Sequence, residues 1–264
     1  MGELNNHTHL FFNTSIGVQK PENIRNKNQS CPFCARDELT GIIDEEGPIL
    51  LLKNKFPVLE NAFQTVLVET DVCDEEFSQY SADHLNRLLD FAIRHWMRME
   101  ASGDFRSVIL FKNHGPLSGG TIAHSHMQIV GLYDLDYHDK IGEADFRGPV
   151  IHEDEGVQLN LSDQPKVGFY EFNIIMDQGR PSATFSSYIQ TVVHYIMNSY
   201  PYKCSSYNLF FYSLNGKLIC KVVPRFVTTP LFIGYQLPQV PNNLEWMRND
   251  IQSRYFNGTM EKEA

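Results

Sequence analysis

The chain has 264 residues with 22 basic and 32 acidic side chains, a formal charge of -10, and 42% hydrophobic residues, enough for a sizeable core. Its charges are scattered and acidic on balance, which excludes the broad basic footprint that a phosphate backbone requires; nucleic acid is not expected as a partner. No apolar run approaches ~20 residues, and the opening MGELNNHTHLFF lacks a basic segment followed by an apolar stretch and a small-residue cleavage site, so no membrane association is expected and the cytoplasm is the expected compartment.

A polar, turn-rich lead-in occupies residues 1–30, apolar only at Leu10, Phe11 and Phe12, and ends in NIRNKNQS. Five cysteines follow along the chain, two of them as Cys31-Pro-Phe-Cys34; an odd and sparse set suits metal binding or catalysis better than a secreted disulfide framework. From Pro48 the pattern is that of strands. PILLLKNKF is an apolar run broken by Pro57, and AFQTVLVET alternates with β-branched residues. In SADHLNRLLDFAIRHWMRM, Ser81 is a cap signal, and Leu85, Leu88, Leu89, Ala92, Trp96 and Met99 fall on one helical stripe that should face the core. Two strands, RSVILFKNH and AHSHMQIVGL, then flank the loop GPLSGGTI.

The second half repeats this order. SSYIQTVVHYIMNSY reads as a helix, and SSYNLFFYSL and KLICKVVPRF as strands joined by a turn at Asn215-Gly216. Laying residues 124–130 over 217–223 keeps the apolar end of the strand and loses every histidine. The expected fold is therefore α+β: two half-repeats of a helix plus antiparallel strands, residues 1–140 and 141–264, sharing one mainly antiparallel sheet with helices packed on it. Only the first half is chemically equipped. NNLEWMRNDIQSRYFNGTMEKEA closes the chain as a surface helix with a frayed tail.

Side chains alternate across a strand, so His124, His126 and Gln128 project to one side while Ala123, Ser125, Met127 and Ile129 face the other. The preceding loop, residues 113–121, has small residues that let backbone N–H groups approach an anion and hydroxyls that add donors, a combination suited to phosphate. A neutral imidazole is a good nucleophile toward phosphorus, and its phosphoramidate can pass the group on, so a two-step transfer would follow. The Cys31/Cys34 knuckle can supply one side of a tetrahedral zinc, with Cys73, His84, His114 and His124 as candidates for the other side. His84 and His95 read as exposed or packing residues of the helix, His114 as a loop-surface residue, and Cys204 and Cys220 as buried thiols.

CPFC, VLVETDVCDEEF and FKNHGPLSGGTIAHSHMQIVGL together resemble the first half of the galactose-1-phosphate uridylyltransferase-like branch of the histidine-triad (HIT) superfamily, which includes sugar-nucleotide phosphorylases with the same His-Ser-His-x-Gln pattern. The resemblance spans most of residues 10–135 and continues more weakly through KVVPRF and TTPLFIGYQ. It implies a HIT-like half-repeat fold and a closed structural zinc held by Cys31, Cys34, Cys73 and His124, where Cys73 takes the place of a histidine ligand. It also implies that His126 is the nucleophile receiving a nucleoside monophosphate, that Gln128 donates to the phosphate, and that Asn113, Ser118, Gly119, Gly120 and Thr121 line the phosphate loop. A basic residue and a proline ahead of the CxxC, here Lys20-Pro21, belong to the family's grip on the acceptor. The expected ligand is a nucleotide or nucleotide sugar and the expected activity a nucleotidyltransferase or phosphorylase, possible as a homodimer; a hydrolase on the same scaffold, or a zinc-stabilised nucleotide-binding protein without turnover, are the alternatives.

Overall fold

The computed structural model describes residues 9–257; the first eight residues of the lead-in and the expected tail beyond Asn257 lie outside the described residues. The first half contains the one-turn α1 (Thr14–Gly17), then β1 (Ile42–Glu46), β2 (Ile49–Lys53), β3 (Ala62–Val68), α2 (Ala82–Ala101), β4 (Ser107–His114) and β5 (His126–Leu132). The second half runs β6 (Val150–Asp154), β7 (Val157–Leu161), β8 (Phe172–Asp177), α3 (Ala183–His194), β9 (Tyr207–Leu214) and β10 (Lys217–Pro224), and α4 (Pro230–Tyr235) and α5 (Leu244–Tyr255) follow. A single π turn, Tyr195–Ser199, extends α3.

All ten strands join one sheet in the order β1-β2-β3-β5-β4-β9-β10-β8-β7-β6, and every neighbouring pair is antiparallel. Read from either end, the order is the same once each strand is replaced by its counterpart in the other half. The expected duplication is thus built into the sheet, with β4 and β9 paired at its centre from Leu110↔Phe211 to His114↔Tyr207. The repeat extends to two hairpins, of whose strands the sequence pattern singled out only β2. IIDEEGPIL (β1–β2) and VIHEDEGVQL (β6–β7) are corresponding hairpins, and each has an irregular register near its start, at Ile42/Asp44 and at Val150/His152. Both outermost strands carry acidic residues: Asp44 accepts from His95 Nε2 at 2.9 Å and Glu46 pairs with Arg94 at 3.0 Å.

Helices α2 and α3 cover one face. Leu85, Leu88, Leu89, Ala92 and Trp96 of α2 are buried as the helical stripe predicts, against Val108 and Leu110 of β4 and Met127 and Ile129 of β5. The Trp96 indole donates to Val108 O at 2.8 Å, so its one polar atom is satisfied inside the core. On the same face of the second half, Leu209, Phe211, Leu218, Cys220 and Val222 pack with Phe185, Ile189 and Val192 of α3. The C-terminal helix is more than a surface element, because Met247 and Ile251 are fully buried in this same core. The opposite face has a smaller apolar cluster in the first half, made by Phe33, Leu50, Leu52, Val66 and Val68.

One charged pair lies inside the helical layer. Lys112 Nζ and a Glu69 carboxylate oxygen form an ion pair with both side chains fully buried, and Tyr80 OH donates to the second Glu69 oxygen at 2.9 Å. Removing one member of such a pair strands the other charge in a medium that cannot solvate it. Lys112→Met should therefore lower the unfolding free energy by about 3–5 kcal/mol in urea titrations, whereas adding Glu69→Leu should recover most of that loss.

Candidate active site and metal centre

The strand that carries the histidines begins at His126, three residues later than the alternation from Ala123 predicts. Residues 121–123 are held by the lead-in segment instead of by a neighbouring strand: Asn23 N and Ile24 N donate to Thr121 O at 2.9 and 3.2 Å, and Ala123 N donates to Asn23 Oδ1 at 2.7 Å. Across the chain from this lacing, Glu69 N donates to Ser125 O at 3.1 Å and Ser125 Oγ donates to Glu75 O at 2.9 Å. His124 and His126 nonetheless share one side, since both rings meet Phe33 edge-on, at centroid distances of 5.9 and 5.4 Å.

His124 is fully buried and its two ring nitrogens have separate tasks. Nε2 lies 2.8 Å from Thr70 O, a bond that only an N–H can make, which leaves Nδ1 as the lone-pair nitrogen. Nδ1 faces Cys31 Sγ at 3.5 Å and Cys34 Sγ at 3.7 Å. With Cys73 these residues place four ligand atoms within 4.8 Å of one another, a cluster that could hold a metal ion. Burial pushes the Cys73 thiol up to about 12, with the Cys34 and Cys31 sulfurs adding to the shift, so a compensating cation is what would let it ionise. The donor set fits a metal of intermediate softness in tetrahedral geometry, with the Thr70 carbonyl fixing the imidazole from behind. Neither His84 nor His114 joins it: His84 lies edge-on to Tyr80 at 4.9 Å, and His114 is stacked on Tyr207 at 4.8 Å. The expected loop-surface role of His114 gives way to this stacking, and burial lowers its pKa to about 3.

His126 has Nδ1 2.8 Å from His124 O, so Nδ1 carries the proton and Nε2 the free lone pair. Burial lowers its pKa to about 4, the positive charge of Lys112 adding to the effect, and the ring is neutral near pH 7. The ring lines a cavity of about 550 Å³ on the face opposite α2 and α3, together with Gln128, Asn113, Gly119, Gly120 and Thr121. Ser118 is directed elsewhere. Its hydroxyl donates to Gly115 O at 2.7 Å and accepts from Gly120 N at 3.3 Å, bracing the loop from within. The loop depends on glycine at position 115, where φ is +82° and a Cβ would run into Ser205 O and Ser206 of the second half. Asn113 Oδ1 accepts from Asn208 Nδ2 at 2.6 Å, which leaves its own amide N–H groups as donors.

Of the further cavity residues, Lys20, Phe33 and Val66 belong to segments that the sequence motifs include, and Leu52 to Phe56 do not. Phe33, Leu52, Phe56 and Val66 supply apolar walls, and Lys20, Lys53, Asn54 and Lys55 supply polar ones. Phe33 was visible only as the residue inside the CxxC knuckle, and Asn54-Lys55-Phe56 only as the end of an apolar run. Lys20 reaches the cavity because the lead-in is tied to the loop at Thr121. Cys220 is a fully buried thiol and Cys204 a half-buried one that donates to Ser206 O at 3.1 Å.

In fold the chain is similar to GALT-like proteins. It superposes on a GALT-like protein from Arabidopsis thaliana with a TM-score of 0.71, at 16% identity, over 94% of this chain and 99% of that one. An ADP-glucose phosphorylase from Arabidopsis thaliana, solved with bound ADP-glucose, gives 0.69 at 16% identity over 85% and 90% of the two chains. More specifically, the chain belongs to the DUF4931 family. Models of that family described as domain of unknown function (DUF4931), N-terminal and C-terminal domains, match residues 12–135 and 138–256. A DUF4931 family protein from Bacillus cereus ATCC 10987 is 46% identical, with a TM-score of 0.74 over 80% of this chain and 98% of that chain. No curated protein matches the sequence significantly. No helix among the described residues is long and apolar enough to cross a membrane.

Purified protein is expected to retain about one transition-metal ion per chain, and mass-spectrometric metal analysis of Cys73→Ala and His124→Ala should show that content falling severalfold, as loss of one ligand of four demands.

Proposed function

We propose that the protein is a nucleotidyltransferase or phosphorylase that takes a nucleoside monophosphate from a nucleotide sugar or dinucleoside phosphate onto His126. The observation that carries this reading is the bond from His126 Nδ1–H to His124 O beside the glycine loop, which leaves Nε2 as the unprotonated nitrogen of a ring lining the cavity. In the first step the Nε2 lone pair attacks the α-phosphorus. A P–N bond forms, the P–O bond to the leaving group breaks, and the leaving phosphate takes the electron pair. In the second, an acceptor oxygen attacks the same phosphorus and the P–N electron pair returns to Nε2. Throughout, the His124 carbonyl accepts from Nδ1–H and favours the positive charge that develops on the ring.

Gln128, the Asn113 amide and the backbone N–H groups at Gly119 and Thr121 supply donors for the non-bridging oxygens, where negative charge grows during transfer. The apolar walls at Phe33, Leu52 and Val66 suit a nucleobase, and Lys20 suits an anionic group. The metal assigned to the cysteine centre is zinc: three sulfurs and one imidazole make a closed tetrahedral set, and zinc there would pin the lead-in segment and the Cys73 turn to the strand carrying His126. With all four positions filled by protein, it supplies rigidity and no chemistry.

The test is to incubate the protein with nucleotide-sugar and dinucleotide donors labelled at the α-phosphate, quench in base and map the label by mass spectrometry. A nucleotidyl adduct on His126 is expected, absent in His126→Asn; its discharge by phosphate or sugar phosphate supports transfer, discharge by water alone selects a hydrolase, and no adduct with any donor refutes the covalent reading. Gln128→Ala should form the adduct about 10²–10³-fold more slowly, the usual loss for one donor to a developing oxyanion.

A further inference from the structure

The second half has lost the histidines but has kept a cavity of about 240 Å³ on the same face of the sheet. Asn208, Phe210 and Tyr212 of β9 alternate with Leu209 and Phe211, which are committed to the helical core, so the former three face the side on which Asn113 and His126 lie. The walls of this second cavity are aromatic: Tyr170, Tyr200, Phe210, Tyr212 and Phe226. Two lysines at its margin are already neutralised. Lys221 Nζ is buried against Glu171 at 2.7 Å and also donates to Ser162 Oγ and Asp145 O, while Lys166 pairs with Asp145 at 3.3 Å. Glu171 is equally saturated, since its oxygens also accept from Lys166 N and Val167 N.

Arg225 is different. It lines the cavity half-buried, and no carboxylate among the described residues pairs with it. One side-chain donor, Nη1, is spent on Asn208 Oδ1 at 2.8 Å, and a guanidinium has five. Asn208 Nδ2 in turn donates to Asn113 Oδ1 at 2.6 Å and to Ser118 O at 3.1 Å. A single side chain therefore separates the uncommitted guanidinium from the phosphate loop.

We propose that this aromatic cavity is a second subsite, which takes a phosphate monoester bearing a ring, with Arg225 as its anion clamp and the ring lying against the Phe169 and Tyr170 side. The inference rests on the transfer reaction proposed above only for the identity of the ligand, which would be the leaving group or acceptor of that reaction. A free planar fork beside aromatic faces recognises a phosphate and an attached ring together, whereas inorganic phosphate gains only the first contact.

Calorimetric titration of the His126→Asn protein, in which no transfer can occur, tests the site with three probes: glucose 1-phosphate, adenosine monophosphate and inorganic phosphate. Glucose 1-phosphate is expected to bind more tightly than inorganic phosphate, with about a tenfold weakening on adding Arg225→Gln, the loss of one charge-assisted contact. Phe169→Ala, at an exposed position on the rim, should weaken it severalfold without touching the loop or the fold. Adenosine monophosphate reports whether a nucleoside ring is accepted in place of the sugar: sensitivity to both substitutions supports a subsite open to either, and sensitivity of glucose 1-phosphate alone supports a sugar-phosphate subsite. In otherwise wild-type protein, Phe169→Ala should raise the KM of the discharging acceptor. Monoester binding indifferent to both substitutions, with melting temperatures unchanged, would overturn the subsite, as would inorganic phosphate binding as tightly as the monoester. An adduct on His126 without Arg225-dependent binding refutes the subsite alone; Arg225-dependent binding without an adduct refutes the covalent reading alone.

Discussion

The imidazole of His124 is the joint at which three separate stretches of chain meet. One ring nitrogen faces the Cys31/Cys34 knuckle and the other holds the carbonyl of Thr70, while its backbone carbonyl fixes the proton on His126. A side chain that uses both nitrogens has a single tautomer and a single orientation, and it passes that orientation to the next ring along the strand. Position 126 thus inherits its geometry from position 124. Holding a cation beside the cysteines would require Nδ1 of His124 to be unprotonated.

The palindromic sheet explains why a site confined to one half needs the other. Gly115 packs against Ser205 and Ser206, Leu117 N donates to Ser206 Oγ at 3.1 Å, and Asn208 holds Asn113, so the second copy serves as a wall for the loop of the first. The second half, which carries no histidine at the matching positions, is a partner of matching strand order, hydrogen-bonded to the first along β4 and β9. The second half has its own cavity on the same face, lined by Phe210 and Tyr212 of β9.

Much of this was legible in the sequence where chemistry and periodicity coincide. The stripe from Leu85 to Trp96 gave α2, Asn215-Gly216 gave the β9–β10 turn with φ of +49° and +73°, and His-x-His-x-Gln gave the shared side of the strand. The ligand set Cys31, Cys34, Cys73 and His124 came from resemblance, and spacing alone left His84 and His114 open; only tertiary folding brings residues 73 and 124 together. The edge strands β1 and β6, IIDEE and VIHED, carry too few apolar residues to show alternation. Phe33 and Arg225 were illegible for a different reason. Each acts through neighbours contributed by distant segments, and no local pattern encodes a stacked ring or an unpaired guanidinium.

The acidic residues of β1 and β6 have one more consequence. A ten-stranded sheet ends in two rows of open backbone donors and acceptors, a template on which further chains could grow into fibrils. Here each border has an irregular register, and the exposed carboxylates of Glu45 at one end and of Glu153 and Asp154 at the other would face their own kind if two copies met border to border. Borders built this way oppose edge-to-edge growth of the sheet.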